Sequence, residues 1–236
     1  MEDNELRQRL AEGAKISKRL EDEVRSATRI WCIVEAFNGR DEEHRSQLRD
    51  SIRHFGLGKT ANTLIKGLVR DTLSSLLRIS DPPGEKEDRQ TFCVLANFLE
   101  HEDVISALVE RALNWQPDWD DQWKQRNAEL VRKRVEFIKS LVPKNWTGPV
   151  PIDDRLLQFR QQLRPLRNSF LAHAEDYDQV PQPTFNETRS FLKLSSEIEA
   201  ASSLVFLGSS DDLQDRWDTY LREANEFWDH LIFDDT

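Results

Sequence analysis

Seven consecutive residues, Arg167-Asn168-Ser169-Phe170-Leu171-Ala172-His173, hold the side chains best suited to chemistry in this chain. Arginine supplies a permanent planar cation whose fork of N–H donors fits a phosphate. The histidine six positions later has an unperturbed pKa near neutrality, so it can take or give a proton at ordinary pH. Asn168, beside the arginine, offers an amide that orients a partner by hydrogen bonds. A phosphate clamp and a proton shuttle are minimal equipment for cleaving RNA without a metal ion. The same pair also occurs without chemistry, decorating the solvated face of a helix.

The segment that must position these residues reads as helix from Asp153 to His173, with the motif helix spanning about 152–175. Pro165 kinks that helix or starts a new one two residues before Arg167, because proline fits the first turn and disrupts an interior. Charge is distributed to match. The net charge of −10 argues against a general nucleic-acid coat, whose binding rests on neutralising phosphates. Yet residues 122–167 carry a balance of +7, while the residues after Arg167 carry −11. A local cationic stretch on a repelling body suits selective attack on a polyanion. Arg134, Lys139, Arg160 and Arg164 are the candidate RNA contacts in that stretch, with Arg167, Asn168 and His173 as the catalytic set.

The remaining elements are also helical. Sparse glycine and proline, abundant Leu, Glu, Arg and Gln, and no alternating strand pattern predict an all-α fold of antiparallel helices. The expected helices run over 3–38, 41–55, 59–79, 88–99, 103–115, 118–141, 186–207 and 212–233, besides the motif helix. Asp88 is the expected cap of the fourth. Leu213, Trp217, Tyr220, Leu221, Ala224, Phe227, Trp228 and Leu231 fall on one stripe of the last helix, a core or an oligomer interface. Cys32 and Cys93 sit in apolar patterns and read as small buried hydrophobes.

Three other patterns dissolve on inspection. Gly56-Leu57-Gly58-Lys59-Thr60 ends like a phosphate-binding loop, but Arg53 stands where the first glycine belongs, so a turn between helices is expected. His101-Glu102 begins like a zinc-protease motif, but Ile105 replaces its second histidine, and the other histidines lack metal-like neighbours. Asp118, Asp120 and Asp121, interleaved with Trp119 and Trp123, read as helix caps beside packed tryptophans rather than metal ligands. No metal or cofactor is expected. The polar N-terminus shows no secretory signal and no apolar run reaches bilayer length, so a cytoplasmic protein without membrane association is expected.

Arg167-Asn168, four residues, then His173, with Ala172 before the histidine, resembles the motif of HEPN ribonuclease domains. A second stretch, Leu73-Ser74-Ser75-Leu76-Leu77-Arg78-Ile79-Ser80-Asp81-Pro82-Pro83, resembles a helix ending in the AbiU-type branch of that superfamily, found in abortive-infection and toxin–antitoxin systems. The order of elements is similar too, and the resemblance covers most of residues 20–205. It implies one HEPN-like helical domain over 1–236, with additional N- and C-terminal helices around the bundle. It further implies a metal-independent endoribonuclease, acting as a toxin or antiphage effector.

Six residues of helix turn through about 600° and rise about 9 Å, so one chain presents Arg167 and His173 on different faces. HEPN domains solve this with a homodimer whose motif helices line one cleft, which is the expectation here, with RNA as substrate and an antitoxin or defence protein as possible partner. In that reading His173 acts as base on the 2′-hydroxyl or acid on the leaving 5′-oxygen, and Arg167 stabilises charge on the phosphorane. Asn168 orients the histidine or a phosphate oxygen. Tyr177, four residues past the histidine, is a candidate for regulatory adenylylation, although the family's spacing is two. The alternatives are a HEPN module that binds RNA or a partner without cleaving, and a structural helical dimerisation domain.

Overall fold

Capping residues set several helix ends in this protein. A computed structural model describes residues 3–39, 42–54, 56–81, 91–116, 118–141, 161, 183–209 and 211–233. Among these residues all regular structure is helical. The helices are α1 (Asp3–Gly39), α2 (Glu42–His54), α3 (Gly58–Ser80), α4 (Phe92–Phe98), α5 (Glu102–Leu113), α6 (Asp121–Leu141), α7 (Phe185–Leu207) and α8 (Leu213–Phe233).

Thr184 opens α7 with a capping box. Its hydroxyl accepts from the Glu187 amide at 3.2 Å, and the Glu187 carboxylate accepts from the Thr184 amide at 2.6 Å. Asp120 accepts from the Trp123 amide at 2.9 Å, and Asp212 accepts from the Gln214 and Asp215 amides at 2.8 and 3.1 Å. The fourth helix starts later than expected. Thr91, not Asp88, caps α4: its backbone is extended and its hydroxyl accepts from the Val94 amide. Asp88 lies outside the described residues. Gly56 closes α2 at φ 67°, with its amide donating to the Arg53 carbonyl and the Leu57 amide to that of Ile52. That is the bonding of a Schellman turn, so the glycine pair joins two helices.

The chain divides into two compact units. One comprises Met1–Val24 with Leu77–Ser210, the other Arg25–Leu76 with Asp211–Thr236. In the first, α6 packs against both α5 and α7. Its core includes Ile16, Leu20, Phe92, Leu95, Leu108, Val135, Ile138 and Phe206, all essentially dry. Helix α7 is buried on most of its circumference, and it manages this with small residues: Ser195, Ala201, Ser202 and Ser203 are all covered. Such a surface lets a neighbour come close. Ser17 of α1 donates to Ser202 at 3.3 Å, and Gly13 lies so near Phe206 that an ideal Cβ there would be 2.3 Å from Cε1. Arg111 of α5 donates to the Val205 carbonyl at 2.5 Å, supplying the cation that the last turn of α7 lacks. Packing around this guanidinium lowers its pKa from the usual arginine value.

In the second unit, Trp31, Cys32, Val34, Leu48, Leu73, Trp217, Ala224 and Trp228 form the core. The Trp228 indole donates to the Ile33 carbonyl at 2.9 Å and tilts against Phe37, with centroids 4.9 Å apart. Arg29 sits over the Tyr220 ring at 4.7 Å and approaches Glu223, and Arg25 pairs with Asp211 at 2.6 Å. The centre of the α8 aromatic stripe is thus buried within its own chain, and among its described side chains only Phe227 is exposed, at 42%. In α3, Thr72 and Leu76 are buried, whereas Leu64 is exposed.

Gly208 ends α7 at φ 77°, and a Cβ there would fall 0.8 Å from Cη2 of Trp115. The expected result for Gly208→Ala is therefore a loss of about 2 kcal/mol. About half comes from the left-handed backbone and the rest from displacing the indole. Urea unfolding followed by circular dichroism measures it, and an unchanged midpoint would contradict both contacts.

Candidate nucleic-acid interface

Arg167, Asn168, His173, Arg160, Arg164 and Tyr177 lie outside the described residues. Of the sequence-predicted contacts, Arg134 and Lys139 are described, both on α6. They do not share a face. Five residues of helix separate them by about 140°. Arg134 is exposed and makes no ion pair among the described residues. The Lys139 side chain is 19% exposed and lies 3.6 Å from Glu136.

The buried face of α6 is Ala128, Val131, Val135 and Ile138. On the side towards α5 a cleft of about 450 Å³ opens between the two helices. Ile105, Val109 and Val135 floor it, and Glu102, Glu110, Glu136 and Arg132 contribute its charge. Three carboxylates against one guanidinium make that cleft unwelcoming to phosphate.

The opposite side of α6 is different. At about 100° per residue, Trp123, Arg126, Leu130, Lys133, Arg134 and Phe137 fall within a sector of about 100°, and Asp121, Glu129 and Glu136 lie outside it. Lys133 reaches sideways to Glu129 at 2.7 Å, and that hydrogen bond holds the carboxyl below its usual range. Trp123 is 54% exposed and Leu130 is 40% exposed. The Arg126 guanidinium sits 5.1 Å from the Trp123 centroid, a cation–π contact. Trp119, in the turn before α6, is 43% exposed, and its ring centroid lies 6.4 Å from that of Trp123.

Sequence reasoning placed Trp119 and Trp123 as packed residues beside helix caps. The cap is there in Asp120, but both indoles stand in solvent. Their signal was the seven-residue spacing of Trp123, Leu130 and Phe137, which marks an additional apolar stripe on a helix already committed to a core.

Arg78, in the stretch that resembles the AbiU-type helix ending, ties α3 to α1: its Nε donates to Glu23 at 2.9 Å and Nη2 contacts the same oxygen. Ile79 beside it is buried, and the Ser80 hydroxyl donates to the Leu77 carbonyl at 3.3 Å. Cys32 and Cys93 are buried and form no disulfide. Among the described residues, no three His, Cys, Asp or Glu side chains gather as a metal site, and no helix is long and apolar enough to cross a membrane. Compared with protein families, curated proteins and solved structures, the chain finds no match in any of the three.

Proposed function

We propose that this protein is a metal-independent endoribonuclease of the HEPN type, serving as a toxin or antiphage effector in the cytoplasm. The observation that carries the reading is the Arg167-Asn168…Ala172-His173 motif in a chain whose cationic stretch leads into it. The helical fold is of the right class, and the carboxylate-free face of α6 supplies a described surface for the substrate. His173 moves the proton between the 2′-hydroxyl and the 5′-leaving oxygen. Arg167 stabilises the phosphorane charge, and Asn168 orients its neighbours. Two chains complete the site, because helical geometry separates Arg167 from His173 within one. Tyr177 remains a candidate for silencing by modification, and an antitoxin a candidate partner.

The test is to incubate purified protein with mixed RNA in EDTA. Wild type is expected to cleave, leaving 2′,3′-cyclic phosphate ends, and Arg167→Lys is expected to fail largely, since a point charge cannot reproduce a planar fork. Light scattering should report a dimer at micromolar concentration. Binding without cleavage under any condition would favour the non-catalytic module, for which the α6 face speaks equally.

A further inference from the structure

The protein contains seven tryptophans, and burial is their usual use because each covers a large apolar area. Trp31, Trp217 and Trp228 follow that rule. Trp115 is partly exposed, yet its ring covers Gly208 and so has a packing role. Trp119 and Trp123 are about half exposed and lie against each other rather than in the core. They stand together in solvent, with Arg126 against one of them, at the head of a helix face whose charged groups are all cations.

We infer that Trp119, Trp123 and Arg126 form a base-stacking platform for single-stranded RNA, with Arg134 further along α6 taking a phosphate. The inference rests on the RNA-directed reading above, and it adds a substrate-holding site separate in sequence from the motif. Exposed indoles offer π-faces on which any base stacks, an arrangement typical of sequence-tolerant single-strand binding. Arginine beside them stacks as well and carries the charge. An A-form duplex hides its base faces, so the platform selects single strands.

Charge complementarity identifies the occupant. An acidic protein surface would also satisfy the cations, but two adjacent indoles flanked by Arg126 and followed by Arg134 provide both of the contacts that a single strand needs. Of the acids near the indoles, Asp120 caps α6 and Asp121 sits in its first turn, where the helix dipole favours it, while Asp118 lies in the turn beside Trp119, outside the cationic sector of α6.

The experiment measures binding of a fluorescein-labelled 2′-O-methyl uridine 20-mer, whose blocked 2′-oxygens prevent cleavage. Trp123→Ala is expected to weaken binding about tenfold and Trp119→Ala about fivefold, with Trp123→Phe recovering most of the loss. Arg126→Gln and Arg134→Gln are each expected to lower the slope of log affinity against log salt by about 0.7. A duplex of equal length should bind more weakly and ignore the tryptophan changes. Unchanged affinity in Trp119→Ala and Trp123→Ala would overturn the platform, even with cleavage intact. A dimer that Trp123→Ala converts to monomer, with no RNA bound by wild type, would assign the face to a second copy instead. If the tryptophan changes weaken binding but wild type cleaves no RNA, the platform stands and the nuclease reading falls.

Discussion

His173→Ala is expected to abolish RNA cleavage in EDTA while leaving RNA binding nearly intact. A positioned acid–base histidine contributes roughly 10² to 10⁴ in rate, so the loss should be plain in a gel assay of fragments with time. No other histidine lies near enough in sequence to substitute. His101 is the next closest before it, and it stands exposed at the start of α5 without a capping hydrogen bond from its side chain. Binding should survive because Arg126 and Arg134 are solvent-exposed on α6 and remain unchanged in the variant. The ratio of the two effects is the informative quantity. A variant that loses binding and cleavage together would indicate a structural histidine. A variant that cleaves like wild type would remove the proton shuttle from the reading altogether.

If two chains share each site, a mixed experiment gives a sharper result. Arg167→Lys and His173→Ala are inactive separately for different reasons. Mixed in equal amounts, they should regain part of the activity when the motif helices of two subunits line one cleft, because one of the two composite sites can then be whole. No regain under conditions where subunits exchange would argue that each chain acts alone.

The helices were legible in the sequence because their ends are chemically marked. Asp120 and Asp212 are short oxygen-bearing side chains placed just before apolar periodicity, and each accepts the amide bonds that periodicity predicts, whereas Thr184 does the same two residues before the expected start of α7 at residue 186. Asp88 was misleading because Thr91 has the same capping chemistry three residues nearer the apolar run Phe92–Ala96. Two capping candidates in one turn are distinguished by where burial begins, which sequence shows only loosely. The glycine pair Gly56 and Gly58 was legible as a turn once Arg53 excluded a phosphate loop.

The exposed side of α6 was not legible, for a reason that lies in packing. That helix carries two apolar stripes: Ala128, Val131, Val135 and Ile138 on one side, and Trp123, Leu130 and Phe137 on the other. Side-chain size alone would assign the core to the stripe with the tryptophan and the phenylalanine. The neighbours decide otherwise, because α5 and α7 pack on the smaller set, where small side chains allow helices to approach closely. The aromatic stripe of α8 went the other way. Its centre, Trp217, Ala224 and Trp228, is covered within the chain, so that stripe offers less to a dimer than its composition suggested. Candidate catalytic residues were legible only as residue types at a spacing. Sequence can state that a cation and a proton carrier share a short segment, but the distance between two copies of it is a property of assembly.

Phe206→Ala is expected to destabilise the first unit by about 3–5 kcal/mol, the usual range for emptying a buried phenylalanine site. Phe206 is buried on α7, and its ring fills the space that Gly13 leaves open on α1. The converse change tests the same contact from the other side. Gly13→Ala raises helix propensity by roughly 1 kcal/mol, yet its new methyl would meet the ring at 2.3 Å. Overpacking of that kind destabilises by about 1–3 kcal/mol, so the net effect should be a loss despite the better helix former. Shrinking the ring relieves the conflict. Gly13→Ala combined with Phe206→Leu should therefore be more stable than the sum of the single changes, with a coupling of about 1 kcal/mol. Urea unfolding of the four proteins closes the cycle, and hydrogen exchange of the amides in residues 3–24 locates the change in the first unit. Additive losses would mean that the two helices do not meet at this pair. A Gly13→Ala variant more stable than wild type would mean that the ring has room to move.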